Sequence, residues 1–147
     1  MEIAVLGLGC FWGPEIKFSK VSGVIKTEVG YCGGNTKETT YEEVCTGKTN
    51  HAEVVKLDFD PKIISYEKIL EYFFEIHDST TLNSQGPDFG TQYRSEIFYL
   101  NDKQKKIANE VLDIENIKLS KKVVTKISFL KNYCAAEDHH QKYLEKR

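Results

Sequence analysis

The chain has 147 residues, 40% of them hydrophobic, and its 20 Lys and Arg nearly balance its 22 Asp and Glu. This size and apolar content fit a single domain, spanning residues 1–147, with a hydrophobic core. The net charge of -2 gives no electrostatic basis for binding nucleic acid or an anionic membrane. No stretch reaches the ~20 apolar residues of a membrane span and no signal peptide is recognisable, so we expect a soluble, cytoplasmic protein.

Strands and helices are predicted to alternate along the chain. In order, the pattern predicts a strand at 3–8, a helix at 14–20, strands at 24–31 and 52–59 flanking a helical turn at 39–45, a helix at 65–76, a strand at 96–100, a helix from 101 or 102 to 117, and a strand at 123–128. Residues 78–95 form a long irregular stretch, and 133–144 is polar with some helical character. This order predicts an α/β (α+β) fold, a two-layer α/β sandwich with a mixed sheet.

Cys10 lies where the first predicted strand meets the first predicted helix, between Gly9 and Phe11. A helix N-terminus stabilises a nearby anion by ~0.3 to 1 kcal/mol, less than the ~1.4 kcal/mol of one pKa unit, so it cannot by itself make Cys10 a thiolate. A buried core cysteine is the simplest alternative. The flanking glycines and the aromatic pair Phe11 and Trp12 favour a reactive thiol beside a wall suited to a small apolar substrate group.

The segment Gly9-Cys10-Phe11-Trp12-Gly13-Pro14-Glu15 resembles the signature of the A-type peptide methionine sulfoxide reductases. The segments 50–55, 88–95 and 136–144 also resemble family segments, so the resemblance covers nearly the whole chain. It implies a ferredoxin-like core with extra segments. It also implies a thiol-dependent enzyme, a peptide-methionine (S)-S-oxide reductase without metal or other cofactor, which reduces methionine S-sulfoxide, free or in proteins and peptides.

The resemblance also implies roles for two residues in oxygen removal. Cys10 attacks the sulfoxide sulfur, releases methionine and becomes a sulfenic acid. Glu43 is the expected acid for the sulfoxide oxygen, which requires that burial raises its pKa. Thr40 and Glu43 also have the spacing of a capping box, which offers a structural alternative for this carboxylate.

Five further residues complete the implied site. Tyr31 and Tyr93 match the family tyrosines that donate hydrogen bonds to the sulfoxide oxygen. Asp88 is expected to hold the hydrogen-bond network in place, with an Asx turn as the alternative. Phe11 and Trp12 are expected to wall the pocket for the substrate methyl group. Burying one methyl is worth only ~0.8 kcal/mol, so this pocket orients the substrate more than it binds it.

Recycling of oxidised Cys10 is expected to need an external thiol. The sequence stops at Arg147, without the Gly-rich tail and resolving cysteines of many relatives. Glutaredoxin, thioredoxin or glutathione would then act on a monomer. Cys32 is the internal alternative, with Cys45 and Cys134 as further ones. The external thiol is favoured because the spacing of Cys32 does not assure the ~7 Å Cα separation that a disulfide needs.

Three other functions fit parts of the sequence. A dinucleotide site would use Gly7-Leu8-Gly9, but Trp12 stands where its third glycine is required. A thiol peroxidase or redox sensor would also need an exposed cysteine of low pKa. A non-catalytic binding module would leave Cys10 inert, so reactivity with peroxide and with methionine sulfoxide separates these readings.

Overall fold

A computed structural model of the chain describes residues 1–145. The strands are β1 (Glu2–Leu8), β2 (Val24–Cys32), β3 (Ala52–Phe59), β4 (Ser84–Gln85), β5 (Asp88–Phe89), β6 (Ser95–Tyr99), β7 (Lys126–Phe129) and β8 (Cys134–Ala135). The helices are α1 (Trp12–Ser19), α2 (Tyr41–Cys45), α3 (Tyr66–Glu75) and α4 (Asp102–Lys118). The polar segment near the C-terminus holds β8 and a 3-10 turn at Asp138–His140, instead of the helical structure that its sequence indicated.

Six strands form one sheet in the order β7-β6-β1-β3-β2-β8, and β4 and β5 form a separate hairpin. β6 and β7 pair in parallel, and every other pair in the large sheet is antiparallel. This confirms the predicted α/β fold with a mixed sheet. Within residues 1–145, no helix combines the length and apolar content needed to cross a bilayer.

The main core lies between the sheet and the helices α1, α3 and α4. The hydroxyl of Ser65 accepts a hydrogen bond from the Lys68 N–H and so caps the start of α3. The apolar residues of α3 follow at helical spacing and are buried against the sheet, as Leu70 and Phe73 show with no exposed surface. Most of the stability of α3 therefore comes from the face that it packs onto the sheet.

His77 follows the C-cap of α3 and is a neutral hydrogen-bonding residue. Its Nδ1 lies 2.6 Å from the Phe73 carbonyl oxygen and its Nε2 lies 2.7 Å from the Ser95 hydroxyl. Burial lowers the pKa of His77 to about 4. The imidazole is therefore uncharged at neutral pH and is not a helix-terminal cation.

One end of the sheet gathers the termini that carry the candidate residues. Leu8, the last residue of β1, pairs with Ser95, the first of β6. Glu53, near the start of β3, pairs with Tyr31, near the end of β2. Because β1 and β3 are antiparallel neighbours, the Cys10 turn and the start of β3 lie together.

Candidate active site

The turn that bears Cys10 runs from the end of β1 to the start of α1, as predicted. Gly9 has a φ of +99°, in the region that favours glycine. A Cβ at this position would lie 2.8 Å from Cγ of Gln85 in β4, closer than real Cβ contacts allow. Gly9 therefore lets the β4–β5 hairpin pack directly against the Cys10 turn.

Cys10 is partly buried, and its thiol is the stable form at neutral pH. Burial is the main cause that raises its pKa to about 11, and the negative charges of Glu53 and Asp88 raise it further. A hydrogen bond from the Trp12 N–H, at the start of α1, acts in the opposite direction. The helix N-terminus thus favours the thiolate as expected, but burial outweighs it.

Glu53 is the acidic group whose environment best suits a proton donor. It is 1% exposed, and its Oε1 accepts a hydrogen bond from the Phe11 N–H at 3.3 Å. Its Oε2 is also buried and has no hydrogen-bond partner. Burial raises the pKa of Glu53 to about 8, against the lowering effect of the Phe11 N–H. Glu53 is therefore mostly protonated at neutral pH, with a carboxyl oxygen left for another molecule.

Glu43, the acid expected from the sequence, lies outside this environment. It is exposed in the first turn of α2, and its backbone N–H donates to the Thr40 hydroxyl at 3.3 Å. That hydroxyl in turn donates to Oε1 of Glu43 at 3.2 Å. The Glu43 carboxylate thus contacts the capping residue Thr40, through its hydroxyl and not through the backbone N–H of a capping box. Its exposed position lacks the burial that an acid role requires.

Tyr41 and Tyr93 bring two phenol groups together near Glu53. The two side chains influence each other's protonation, and the Cys45 thiol influences that of both. Burial raises the pKa of Tyr93 to about 12 and that of Tyr41 still higher, and the charge of Glu53 adds to both shifts. Both phenols therefore keep their protons and can donate hydrogen bonds.

Tyr31 is engaged elsewhere. Its side chain has no exposed surface, and its hydroxyl donates to Oε1 of Glu137 at 2.9 Å. Its ring lies 5.7 Å from the ring of Phe11, between centroids. Burial and this hydrogen bond raise the pKa of Tyr31 well above its ordinary value. The Tyr31 hydroxyl, which was expected to donate to the sulfoxide oxygen, thus already donates to Glu137.

Phe11 and Trp12, which we call the aromatic wall, follow Cys10 directly in the chain. Phe11 is 1% exposed, whereas Trp12 is half-buried. The indole of Trp12 stacks on Tyr143 with 3.9 Å between centroids, and its Nε1–H donates to Nδ1 of His140 at 3.1 Å. The orientation of the indole is therefore fixed by a stacking contact and a hydrogen bond.

Asp88 lies in β5, in the hairpin that covers the Cys10 turn. It is partly buried and pairs with Gln85 in the register of β4 and β5. Its negative charge raises the pKa values of Cys10, Glu53 and Tyr93. The structure thus brings Asp88 to the same cluster as the thiol and the buried carboxyl.

The remaining cysteines are free thiols in different surroundings. Cys32 is buried and its thiol donates to the Lys131 carbonyl oxygen at 3.3 Å. Cys134 is partly buried near the Thr39 carbonyl oxygen, and Cys45 is exposed at the end of α2. Among residues 1–145, no cluster of three or more His, Cys, Asp or Glu is arranged to hold a metal ion.

Sequence reasoning missed Glu53 and Tyr41, although a signal for Glu53 is present. In β3, residues at alternate positions share a face, so Glu53 lies on the same face as the buried Val55, Leu57 and Phe59. A carboxyl at a core position of a strand is expected to be protonated or specifically paired. For Tyr41, the sequence offers only its place directly after the capping residue Thr40.

Comparison with known proteins shows the family of the chain. The model of the family described as peptide methionine sulfoxide reductase matches residues 2–147. A peptide methionine sulfoxide reductase MsrA of Pelagibacter ubique is 80% identical over 147 residues, which cover 100% of both chains. Reduced Mxr1 from Saccharomyces cerevisiae has a TM-score of 0.95 at 38% identity, over 99% of this chain and 85% of that one.

A second structure of the yeast protein shows Mxr1 in complex with Trx2. It matches with a TM-score of 0.69 at 26% identity, covering 97% of this chain and 84% of that one. The resemblance of the Cys10 signature is thereby confirmed at the level of the whole chain. The chain belongs to the peptide methionine sulfoxide reductase family and is an oxidoreductase of its A type.

Proposed function

We propose that Cys10 is the nucleophile that reduces methionine S-sulfoxide, with Glu53 as the proton donor. The observation that carries this proposal is the buried Glu53 carboxyl, which has one unpartnered oxygen and a pKa raised to about 8 beside the Cys10 turn. Oxide is a poor leaving group, so the sulfoxide oxygen needs a proton as the sulfur is attacked. A carboxyl that is still protonated at neutral pH supplies it.

The reaction moves one oxygen atom from the substrate to Cys10. The Cys10 sulfur bonds to the sulfoxide sulfur while the oxygen takes up the proton of Glu53, and the thiol proton of Cys10 restores the carboxyl. The protonated oxygen then moves from the substrate sulfur to the Cys10 sulfur as the bond between the two sulfurs breaks. Methionine leaves as the thioether, reduced by two electrons, and Cys10 becomes a sulfenic acid, oxidised by two. Because the free thiol has a pKa of about 11, activation of the substrate by Glu53 has to compensate for a scarce thiolate.

Tyr41 and Tyr93 then stabilise the oxygen by hydrogen bonds, the role that the resemblance implied for Tyr31 and Tyr93. Both phenols keep their protons near Glu53 and so form a pair of hydrogen-bond donors. Asp88 holds the hairpin side of this network, and Phe11 with Trp12 packs against the substrate methyl group. Glu43 keeps a structural role at the start of α2.

The oxidised enzyme is recycled by external thiols. A thiol attacks the Cys10 sulfenic acid, releasing water and forming a mixed disulfide, and a second thiol then frees Cys10. Thioredoxin is supported as a partner because the related Mxr1 is seen in complex with Trx2. Glutaredoxin and glutathione supply the same chemistry. The chain acts as a single domain and a monomer, in the cytoplasm, on free or protein-bound methionine sulfoxide.

A thiol peroxidase is the competing function, and the environment of Cys10 argues against it. A peroxidase relies on an abundant thiolate, whereas burial raises the pKa of Cys10 to about 11. Peroxide also has no need for a buried carboxyl acid or a pair of phenols. The same residues are well suited to an oxygen that must be protonated as it leaves.

A single-turnover assay without added thiol tests the proposal. The wild type and Cys10→Ser are each mixed with the separate S and R diastereomers of a blocked methionine sulfoxide, and methionine and remaining thiols are counted. We expect one methionine per chain from the S form alone, none from Cys10→Ser, and the loss of one thiol. No methionine from either diastereomer would overturn the assignment, and loss of two thiols would reveal an internal resolving cysteine.

A further inference from the structure

The carboxylate of Glu137 joins two elements of the site through separate oxygens. Its Oε1 accepts a hydrogen bond from the Tyr31 hydroxyl at 2.9 Å, and its Oε2 accepts one from the Tyr41 N–H at 3.0 Å. Its own carbonyl oxygen accepts from the His140 N–H at 2.9 Å, within the 3-10 turn that holds the partner of the Trp12 indole. Glu137 thus ties β2, α2 and the turn that supports the aromatic wall.

The helix α2 depends on such contacts for its position. It has only five residues, too few for a helix to be stable without tertiary support. Its buried contacts come from Val44, which has no exposed surface, and from the Tyr41 ring, which lies 4.5 Å from the ring of His140. The N–H of Tyr41 is in the first turn of α2, where it has no acceptor within the helix. The Glu137 carboxylate supplies that acceptor.

The Glu137 carboxyl is held in its charged form. Burial raises its pKa, but the hydrogen bonds from the Tyr41 N–H and the Tyr31 hydroxyl oppose burial, and the net pKa lies below the ordinary value for glutamate. A hydrogen bond to a carboxylate is stronger than one between neutral groups. The contact to α2 therefore lasts across the neutral pH range.

We propose that Glu137 is a positioning residue for the Tyr41 hydroxyl, holding α2 so that the donor pair of Tyr41 and Tyr93 meets the sulfoxide oxygen. This inference rests on the proposed function, because it assigns Glu137 a role only through Tyr41. Displacement of a donor by about 1 Å weakens a hydrogen bond that is strongest in the transition state, where the oxygen carries most charge. The effect should therefore fall on kcat more than on KM.

Steady-state kinetics of Glu137→Ala, Glu137→Gln and Tyr41→Phe, alone and combined, test this role. We expect Glu137→Ala to lower kcat about fivefold with KM changed less than about twofold. The amide of Glu137→Gln can accept from the Tyr41 N–H and donate to the Tyr31 oxygen, so this variant should recover most of the loss. In the Tyr41→Phe background, Glu137→Ala should cost less than about twofold more, because the hydroxyl that it positions is absent.

Glu42→Ala is the matched control, since Glu42 is an exposed glutamate in the same short helix. It should leave kcat within about twofold of the wild type. An equal loss from Glu137→Ala in both backgrounds would overturn the proposal and indicate a general structural role. If Tyr41→Phe lowers kcat and Glu137→Ala does not, the role of Glu137 alone fails. If Tyr41→Phe has no effect, the role of Tyr41 in the proposed function fails as well.

Discussion

The strand β3 passes through two regions in which burial has different effects. Toward its C-terminal end, Leu57 and Phe59 have no exposed surface and pack among the apolar side chains of three helices. Near its N-terminal end, Glu53 is almost as completely buried, at 1% exposed, beside the Cys10 turn. Exclusion of water stabilises the fold in the first region. In the second, it changes the chemistry of a carboxyl and a thiol by raising both pKa values.

The largest effect should come from a cavity in the main core beneath the helices, measured as a loss of stability. Phe73 in α3 has no exposed surface, and Phe73→Ala is expected to lower the free energy of unfolding by ~4 kcal/mol. Chemical denaturation measures this loss. Because Phe73 belongs to the main core, to which Glu53, Tyr41 and Tyr93 do not belong, kcat per folded molecule should stay near the wild-type value, as counted by titration of active sites. A large fall in kcat at full folding would show that the two regions are coupled.

Removal of the Glu53 carboxyl should lower activity by nearly as large a free-energy difference. Glu53→Gln is expected to lower kcat/KM by about 10² to 10³, whereas Glu43→Gln stays within about twofold. The acid form of Glu53 is the active one, so kcat/KM of the wild type should hold below pH 8 and fall as the pH rises through the pKa of about 8. Equal losses in the two variants would contradict the reassignment from Glu43 to Glu53.

His77 provides a test of burial in the stabilising region. Its pKa is about 4 in the folded protein against an ordinary value of 6.5, so the unfolded chain binds a proton first as the pH falls. Stability from this group is therefore complete above pH 6.5 and is lost as the pH falls toward 4. Between pH 7 and pH 5, the wild type should lose ~2 kcal/mol more than His77→Gln, in denaturation curves at each pH.

The smallest expected difference separates the two tyrosines. Tyr41→Phe removes a donor of the proposed pair and should lower kcat about tenfold. Tyr31→Phe removes only a hydrogen bond to Glu137, so a loss of about two- to threefold is expected. Comparison of the two kcat values, measured on the S diastereomer, shows which tyrosine donates to the sulfoxide oxygen. A larger loss from Tyr31→Phe would restore the original expectation for that residue.

The strands and longer helices could be predicted because their periodic patterns report local burial. β3 was predicted at 52–59 and is found there, and the long helix starts at the predicted cap Asn101. The site was less predictable because it depends on which side chains meet across the sheet. Cys10, Phe11, Trp12, Asp88 and Tyr93 lie in the cluster. Glu43 and Tyr31 lie in segments that resemble the family, but their side chains point to other partners.

The high pKa of Cys10 has a consequence for durability. At pH 7, a thiol whose pKa is raised to about 11 is almost entirely protonated, so it offers less thiolate than free cysteine does. Peroxides react with thiolates, so the resting enzyme should be a poor target for the oxidants whose damage it reverses. We expect hydrogen peroxide to oxidise Cys10 more slowly than free cysteine at pH 7, as measured by the loss of single-turnover activity. Burial would then protect this repair enzyme from oxidative inactivation while it waits for substrate.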